Sequence, residues 1–272
     1  MTKLEPNTPT SPVGSREPAD EEIHLWLLFQ PEAESHALLD MYRDLLSDEE
    51  RQRAGRFHFE KHRNQYVMTR ALIRTVLSRY SGLDPRDWRF ATNEYGRPRV
   101  AAPNVLETVS FNLAHTDGLI VCACAKSAIV GVDAEQVRAD RARTEIADRY
   151  FSAAEAAELR GVPMADRAMR FYSCWTLKES YIKALGTGLS TPLDQFTFTL
   201  ADPGRIGLSF HQERVENTRD WRCWLLQPAT GYLVAICAER ATTRAQRIVA
   251  RRVIPLVLEE PHLCKVIATT SD

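Results

Sequence analysis

Apolar residues recur along this chain with two periods, and the points where the period changes divide it into elements. Ile23–Phe29 is short, almost continuously apolar and closed by Pro31, which predicts a buried first strand. Residues 64–80 place Val67, Leu72, Ile73, Val76, Leu77 and Tyr80 on one helical face, and Ser81-Gly82 ends the run. Trp88–Thr92 and Pro98–Ala101 read as the arms of a hairpin around Asn93-Glu94-Tyr95-Gly96-Arg97. Gly118–Ala125 and Gly231–Ala238 look alike: each is a glycine followed by an apolar strand that closes in small residues. Upstream of each lies a long helix and then hairpin-like strands, those of the second set being Phe196–Leu200 through Trp221–Leu226. The pattern suggests two similar α+β halves.

Two capping boxes punctuate the chain, Ser47-Asp48-Glu49-Glu50 and Ser152-Ala153-Ala154-Glu155, with acids in the first turn where the helix dipole favours them. Thr144–Phe151 predicts a short helix before the second box, and Gly161 and Pro163 end the helix after it. Ala165–Leu185 is then a long helix. Phe171, Cys174, Trp175, Lys178, Ile182 and Leu185 fall along one stripe of it, widened by Tyr181, and Gly186 predicts a left-handed cap. The division that follows is a disordered leader at 1–20, halves at 21–127 and 128–240, and an extension at 241–272 whose default role is packing onto the body.

Composition narrows the class. Hydrophobic content of 44% and charged content of 26% over 272 residues fit a soluble globular chain of one large or two modest domains. A net charge of −1 gives no global commitment to nucleic acid, and the Arg-rich segments lack interleaved aromatics. No apolar run reaches membrane-spanning length. The six cysteines lie mostly in apolar runs without a second paired motif for zinc, so they read as buried free thiols of a reducing cytoplasm.

The candidate chemistry is acidic. Ile129–Glu135 is an apolar run ending in Asp133 and Glu135, which share a face if the segment is a strand. Glu179 lies at the margin of the apolar stripe, one turn after Trp175, where burial is costly unless a cation meets it. An ordinary ion pair with Lys178 or Lys183 would satisfy it, and Lys183 has the spacing of a surface pair. Alternatively the three carboxylates converge on a hard cation that also holds substrate phosphates. Arg51, Arg53, Arg56, Lys61 and Arg63 form either a solvated helix face or an anion site. His115, in Ser110–Thr116, reads as structural on its own.

As a set, Gly-Val-Asp-Ala-Glu at 131–135, Trp-Thr-Leu-Lys-Glu-Ser-Tyr-Ile-Lys at 175–183, their spacing, and Phe-Ser-Ala-Ala-Glu at 151–155 resemble the 4′-phosphopantetheinyl transferase superfamily. The resemblance is to its larger, single-chain type, named for the surfactin synthetase activator. It implies an α+β fold of two similar subdomains with pseudo-two-fold symmetry, each an antiparallel sheet against a long helix, with the cofactor cleft between them. It implies transfer of 4′-phosphopantetheine from coenzyme A to a serine of an acyl or peptidyl carrier protein, releasing adenosine 3′,5′-bisphosphate. Such carriers serve fatty acid, polyketide and nonribosomal peptide biosynthesis.

Carried onto this sequence, the family pattern makes Asp133, Glu135 and Glu179 the ligands of Mg2+, with Mn2+ as the alternative ion. Arg53, Arg97, Asn112, His115, Asp133, Lys178 and Lys183 become coenzyme A contacts. Glu179 becomes the candidate general base, and Lys178 joins it as a catalytic charge. Ala114 stands where the family commonly has Ser, leaving Thr116 or backbone amides to replace that hydroxyl. A cytoplasmic monomer is implied. Two other readings use the same residues: a magnesium-dependent nuclease or phosphatase, and a non-catalytic coenzyme A or carrier-binding relative.

Overall fold

The computed structural model describes residues 17–126, 128–142, 144–200, 202–210, 221–240 and 245–270, so most of the expected leader lies outside the described residues. The first half runs β1 (Glu22–Phe29), α1 (Gln30–Ala33), α2 (His36–Arg43), α3 (Asp48–Gly55), α4 (Glu60–Ser81), β2 (Arg89–Thr92), β3 (Pro98–Ala102), β4 (Val109–Thr116) and β5 (Leu119–Lys126). The second runs β6 (Val130–Gln136), α5 (Ala147–Tyr150), α6 (Ala153–Gly161), α7 (Met164–Leu185), β7 (Phe196–Thr199), β8 (Arg205–Phe210), β9 (Trp221–Gln227) and β10 (Tyr232–Glu239). Three further strands follow, β11 (Arg247–Ile254), β12 (Leu258–Pro261) and β13 (Lys265–Thr270).

The α+β architecture is built in four layers: helix, sheet, sheet, helix. One sheet has the order β12-β11-β1-β5-β4 and the other β6-β10-β9-β13-β8-β7, while β2 and β3 form a separate hairpin. The continuous apolarity of β1, β5 and β10 has a direct cause, because both faces of these strands are covered. Ile23, Leu25, Leu27, Val121, Ala123, Val234 and Ile236 meet between the sheets. The alternate residues Trp26, Leu28, Ile120 and Cys122 pack with Val67, Leu72 and Val76 of α4. Leu233, Ala235 and Cys237 pack with Leu177, Tyr181 and Ile182 of α7. Each such large side chain contributes about 1.5–3 kcal/mol.

The segment after residue 240 does more than cover the body. β11 pairs in parallel with β1, and β13 lies between β9 and β8, pairing in parallel with the latter. Among the described residues these are the one parallel step in each sheet, and every other pairing is antiparallel. Both capping boxes form, Ser47 with Glu50 and Ser152 with Glu155, and α7 stops at Gly186 with φ +71°. All six cysteines are free. Among the described residues no helix is long and apolar enough to cross a membrane.

Candidate active site

Strand β6 is an edge strand, and its side chains divide by parity. Val130, Val132 and Ala134 enter the core between the sheets, which turns Gly131, Asp133 and Glu135 toward α7. Gly131 lets that helix close in, because a Cβ there would run into the Ser180 carbonyl and the Ala184 backbone. The approach sets Glu179 and Lys183, one helical turn apart, over Asp133. Lys183 Nζ donates to Asp133 Oδ1 at 2.5 Å.

Electrostatics ties the cluster together. Burial pushes the Glu135 carboxyl up to about 7, and the charges of Asp133 and Glu179 push the same way against Lys183. Glu179 is raised by burial and then by Asp133. Burial alone would lower Lys183, but the carboxylates of Asp133, Glu179 and Glu135 hold it above its ordinary value. One positive charge thus faces three acids. Asp133 Oδ2 is buried without a hydrogen-bond partner. A hard cation would satisfy that atom, and the donors are all oxygen, so the residues fit Mg2+. Among the described residues no three His, Cys, Asp or Glu side chains are already closed into a metal-holding set.

A cavity of ≈ 790 Å³ lies in the first half, lined by α3, α4, the β2–β3 hairpin and the end of β4. Its walls mix cations with aromatic faces. Arg53 stands over Tyr66 at 5.7 Å and Arg70 over Phe90 at 4.3 Å, with His62 and Phe57 beside them. Glu50, the acid of the first capping box, joins Arg70 Nε at 2.6 Å and Arg74 Nη2 at 2.7 Å. His115 lines the cavity and also senses the acids: burial and then Lys183 lower its pKa, while Asp133 opposes them.

The sequence pattern described as the 4′-phosphopantetheinyl transferase superfamily matches residues 129–237, and that described as 4′-phosphopantetheinyl transferase, N-terminal, matches residues 30–127. The 4′-phosphopantetheinyl transferase Sfp of Bacillus subtilis (strain 168) is 31% identical over 201 residues, 73% of this chain and 84% of that protein. The chain belongs to the 4′-phosphopantetheinyl transferase superfamily. The transferase HetI of Nostoc sp. is 30% identical over 215 residues, 78% of this chain and 89% of that one. A solved structure, Thermotoga maritima holo-[acyl-carrier-protein] synthase, overlaps 43% of this chain and 63% of that one at 21% identity with a TM-score of 0.33.

Three of the expected coenzyme A contacts in this transferase turn elsewhere. Lys178 is fully buried on the far side of α7 from Asp133: Nζ donates to the Leu193 carbonyl at 2.7 Å and the Phe196 carbonyl at 2.6 Å, and pairs with Glu155 at 2.8 Å. Its charge is spent inside the second half, so it offers nothing to a phosphate. Arg97 donates to the carbonyls of Lys183 at 2.9 Å, Ala184 at 2.6 Å and Val130 at 3.0 Å, and burial lowers its pKa. Its bonds are all to backbone carbonyls. Asn112 is buried, with Oδ1 accepting from the Val132 amide at 2.9 Å, and so supports β6 just before Asp133.

Arg53 and His115 line the cavity, while Asp133, Glu135, Glu179 and Lys183 act on one another, and Asp133 and Lys183 act on His115. Ala114 is packed between the sheets, and the Thr116 hydroxyl accepts from the Gln136 amide, which leaves its own proton to donate. Arg70, Tyr66 and Phe90 carried no readable motif. The bond between Arg70 and Glu50 spans 20 positions, and only the fold brings the two together.

Proposed function

We propose that this transferase moves 4′-phosphopantetheine from coenzyme A to a serine of an apo acyl or peptidyl carrier protein in a Mg2+-dependent reaction, releasing adenosine 3′,5′-bisphosphate. The observation that carries the reading is the place of His115, which lines the nucleotide-sized cavity and lies within electrostatic reach of Asp133 and Lys183. A ligand whose base and 3′-phosphate sit among Arg53, Arg70, Tyr66 and Phe90 would run its diphosphate past that histidine onto the acids. Cations address the phosphates, and aromatic walls suit the base.

A second cavity, of ≈ 470 Å³, is lined by Glu135, Glu179 and Arg141 together with Ile146, Tyr150, Phe171, Tyr172 and Trp175. Its apolar walls suit the uncharged pantetheine arm. Asp133, Glu135 and Glu179 would hold Mg2+, which when bound neutralises charge on the diphosphate and on the leaving bisphosphate. Lys183 supports the same oxygens by charge, the role expected of Lys178. The serine oxygen attacks the phosphorus that carries the pantetheine, and the bond to the adenosine-side phosphate oxygen breaks. The hydroxyl proton passes to Glu179, directly or through a water. Cavity and acids come from one chain, which supports action as a monomer.

The test is intact-mass measurement of several apo-carriers after incubation with the protein, coenzyme A and Mg2+, with a parallel set in EDTA. A gain of one phosphopantetheine group, lost in EDTA, is expected. Carriers that a known transferase modifies and this one leaves unchanged would overturn the reading.

A further inference from the structure

Arg97 holds both elements that carry the acids. Its guanidinium reaches Val130, the first residue of β6, and Lys183 and Ala184, in the last turn of α7. Asp133 lies three residues beyond the first contact and Glu179 one turn before the others. The last four carbonyls of a helix lack partners within it and carry the negative end of its dipole, so a planar cation is well matched there. One of the four is met by the Gly186 amide, which donates to Ile182; Arg97 takes the next two. Asn93 Nδ2 adds a bond to the Gly186 carbonyl at 3.0 Å.

The turn is built to aim this side chain. Asn93 Oδ1 accepts from the amides of Tyr95 at 3.0 Å and Arg97 at 2.8 Å, and Gly96 takes φ +85°, where other residues would be strained. The opposite side of the same turn, at Gly96 and Pro98, lines the large cavity. Gly131 brings the α7 backbone against β6 at the same end that Arg97 grips, so the crossing is held there by backbone contact and by this one guanidinium, with the Lys183–Asp133 bond beyond it.

We infer that Arg97 is a positioning residue, which fixes the spacing of Glu179 and Lys183 against Asp133 and Glu135 and ties that spacing to the turn beside the nucleotide cavity. The inference rests on the transfer reaction proposed above. It differs from a phosphate-gripping role in what it leaves unchanged, namely the affinity for coenzyme A in the absence of turnover.

Arg97→Ala and Arg97→Lys test it through three readouts: coenzyme A affinity by titration calorimetry without carrier, kcat, and the Mg2+ concentration for half-maximal rate. Expected are a kcat lowered about tenfold to hundredfold, as small misplacements of reacting groups cause. The Mg2+ requirement should rise, with Arg97→Lys intermediate, while coenzyme A affinity stays within about threefold. Weaker coenzyme A binding by about tenfold with kcat intact would overturn the inference, and so would three unchanged readouts. If Arg97→Ala does not fold, Arg97→Lys and Asn93→Ala are judged by the same criteria, Asn93→Ala with a smaller effect. A wild-type protein that modifies no carrier sinks the transfer reading instead, and the two failures are told apart by that control.

Discussion

Lys178 and Lys183 lie five residues apart on α7, which turns one about 140° from the other around the helix axis. Lys178 points into the core of the second half, where Glu155 and two carbonyls take its three protons and its ammonium stands over the Phe196 ring at 4.3 Å. Lys183 points to the edge of β6, pairs with Asp133, and stands in the field of Glu135 and Glu179. The same chemical group is a structural bolt in one place and the one cation facing a cluster of acids in the other. What separates them is whether the opposing charge is fully matched. Around Lys178 the acids and donors balance, whereas around Lys183 the acids are in excess.

That contrast can be broken in order of expected effect. Glu179→Gln should cut carrier modification by about a thousandfold, the scale on which losing a group that stabilises transition-state charge is felt, with the melting temperature unchanged or higher because a repelling charge is gone. A variant with near-normal mass gain would remove Glu179 from the chemistry. Lys178→Met should instead cost about 3–5 kcal/mol in urea unfolding, because it strands Glu155 in the core, and adding Glu155→Gln should return part of the loss. Weaker coenzyme A binding with stability intact would show that Lys178 belongs to the site after all.

Lys183→Ala should lower kcat about a hundredfold. Its melting point should fall in EDTA, as three carboxylates are left to repel one another, and recover with Mg2+. Failure of Mg2+ to restore it would separate the acids from the metal. The smallest effects belong to the cavity. Arg53→Ala or His115→Ala should raise the coenzyme A requirement about tenfold with kcat little changed, since these groups hold substrate in ground and transition states alike.

Much of this was legible in the sequence. Period-two alternation placed Asp133 and Glu135 on one face of β6, and the helical stripe already put Lys178 among Phe171, Cys174 and Ile182. The periodicity read Lys178 correctly; the family resemblance assigned it a phosphate that it does not face. Both capping boxes were visible because every group they use lies within four residues. Contacts across distance were not. The direction of Arg97 depends on which helix end stands opposite its turn, and no local pattern records that. The pairing of β11 with β1 likewise joins residues 225 positions apart, as Glu22 with Arg247.

The arrangement of the last strands governs how this protein can come into being. The β7–β8 hairpin reaches its sheet through β13, and β1 gains its outer neighbour from β11. Neither sheet is complete without residues 247–270, so severing the polypeptide near residue 127 would not release two self-sufficient halves. The assembly closes like a drawstring bag, residues 247–270 pulling both layers shut.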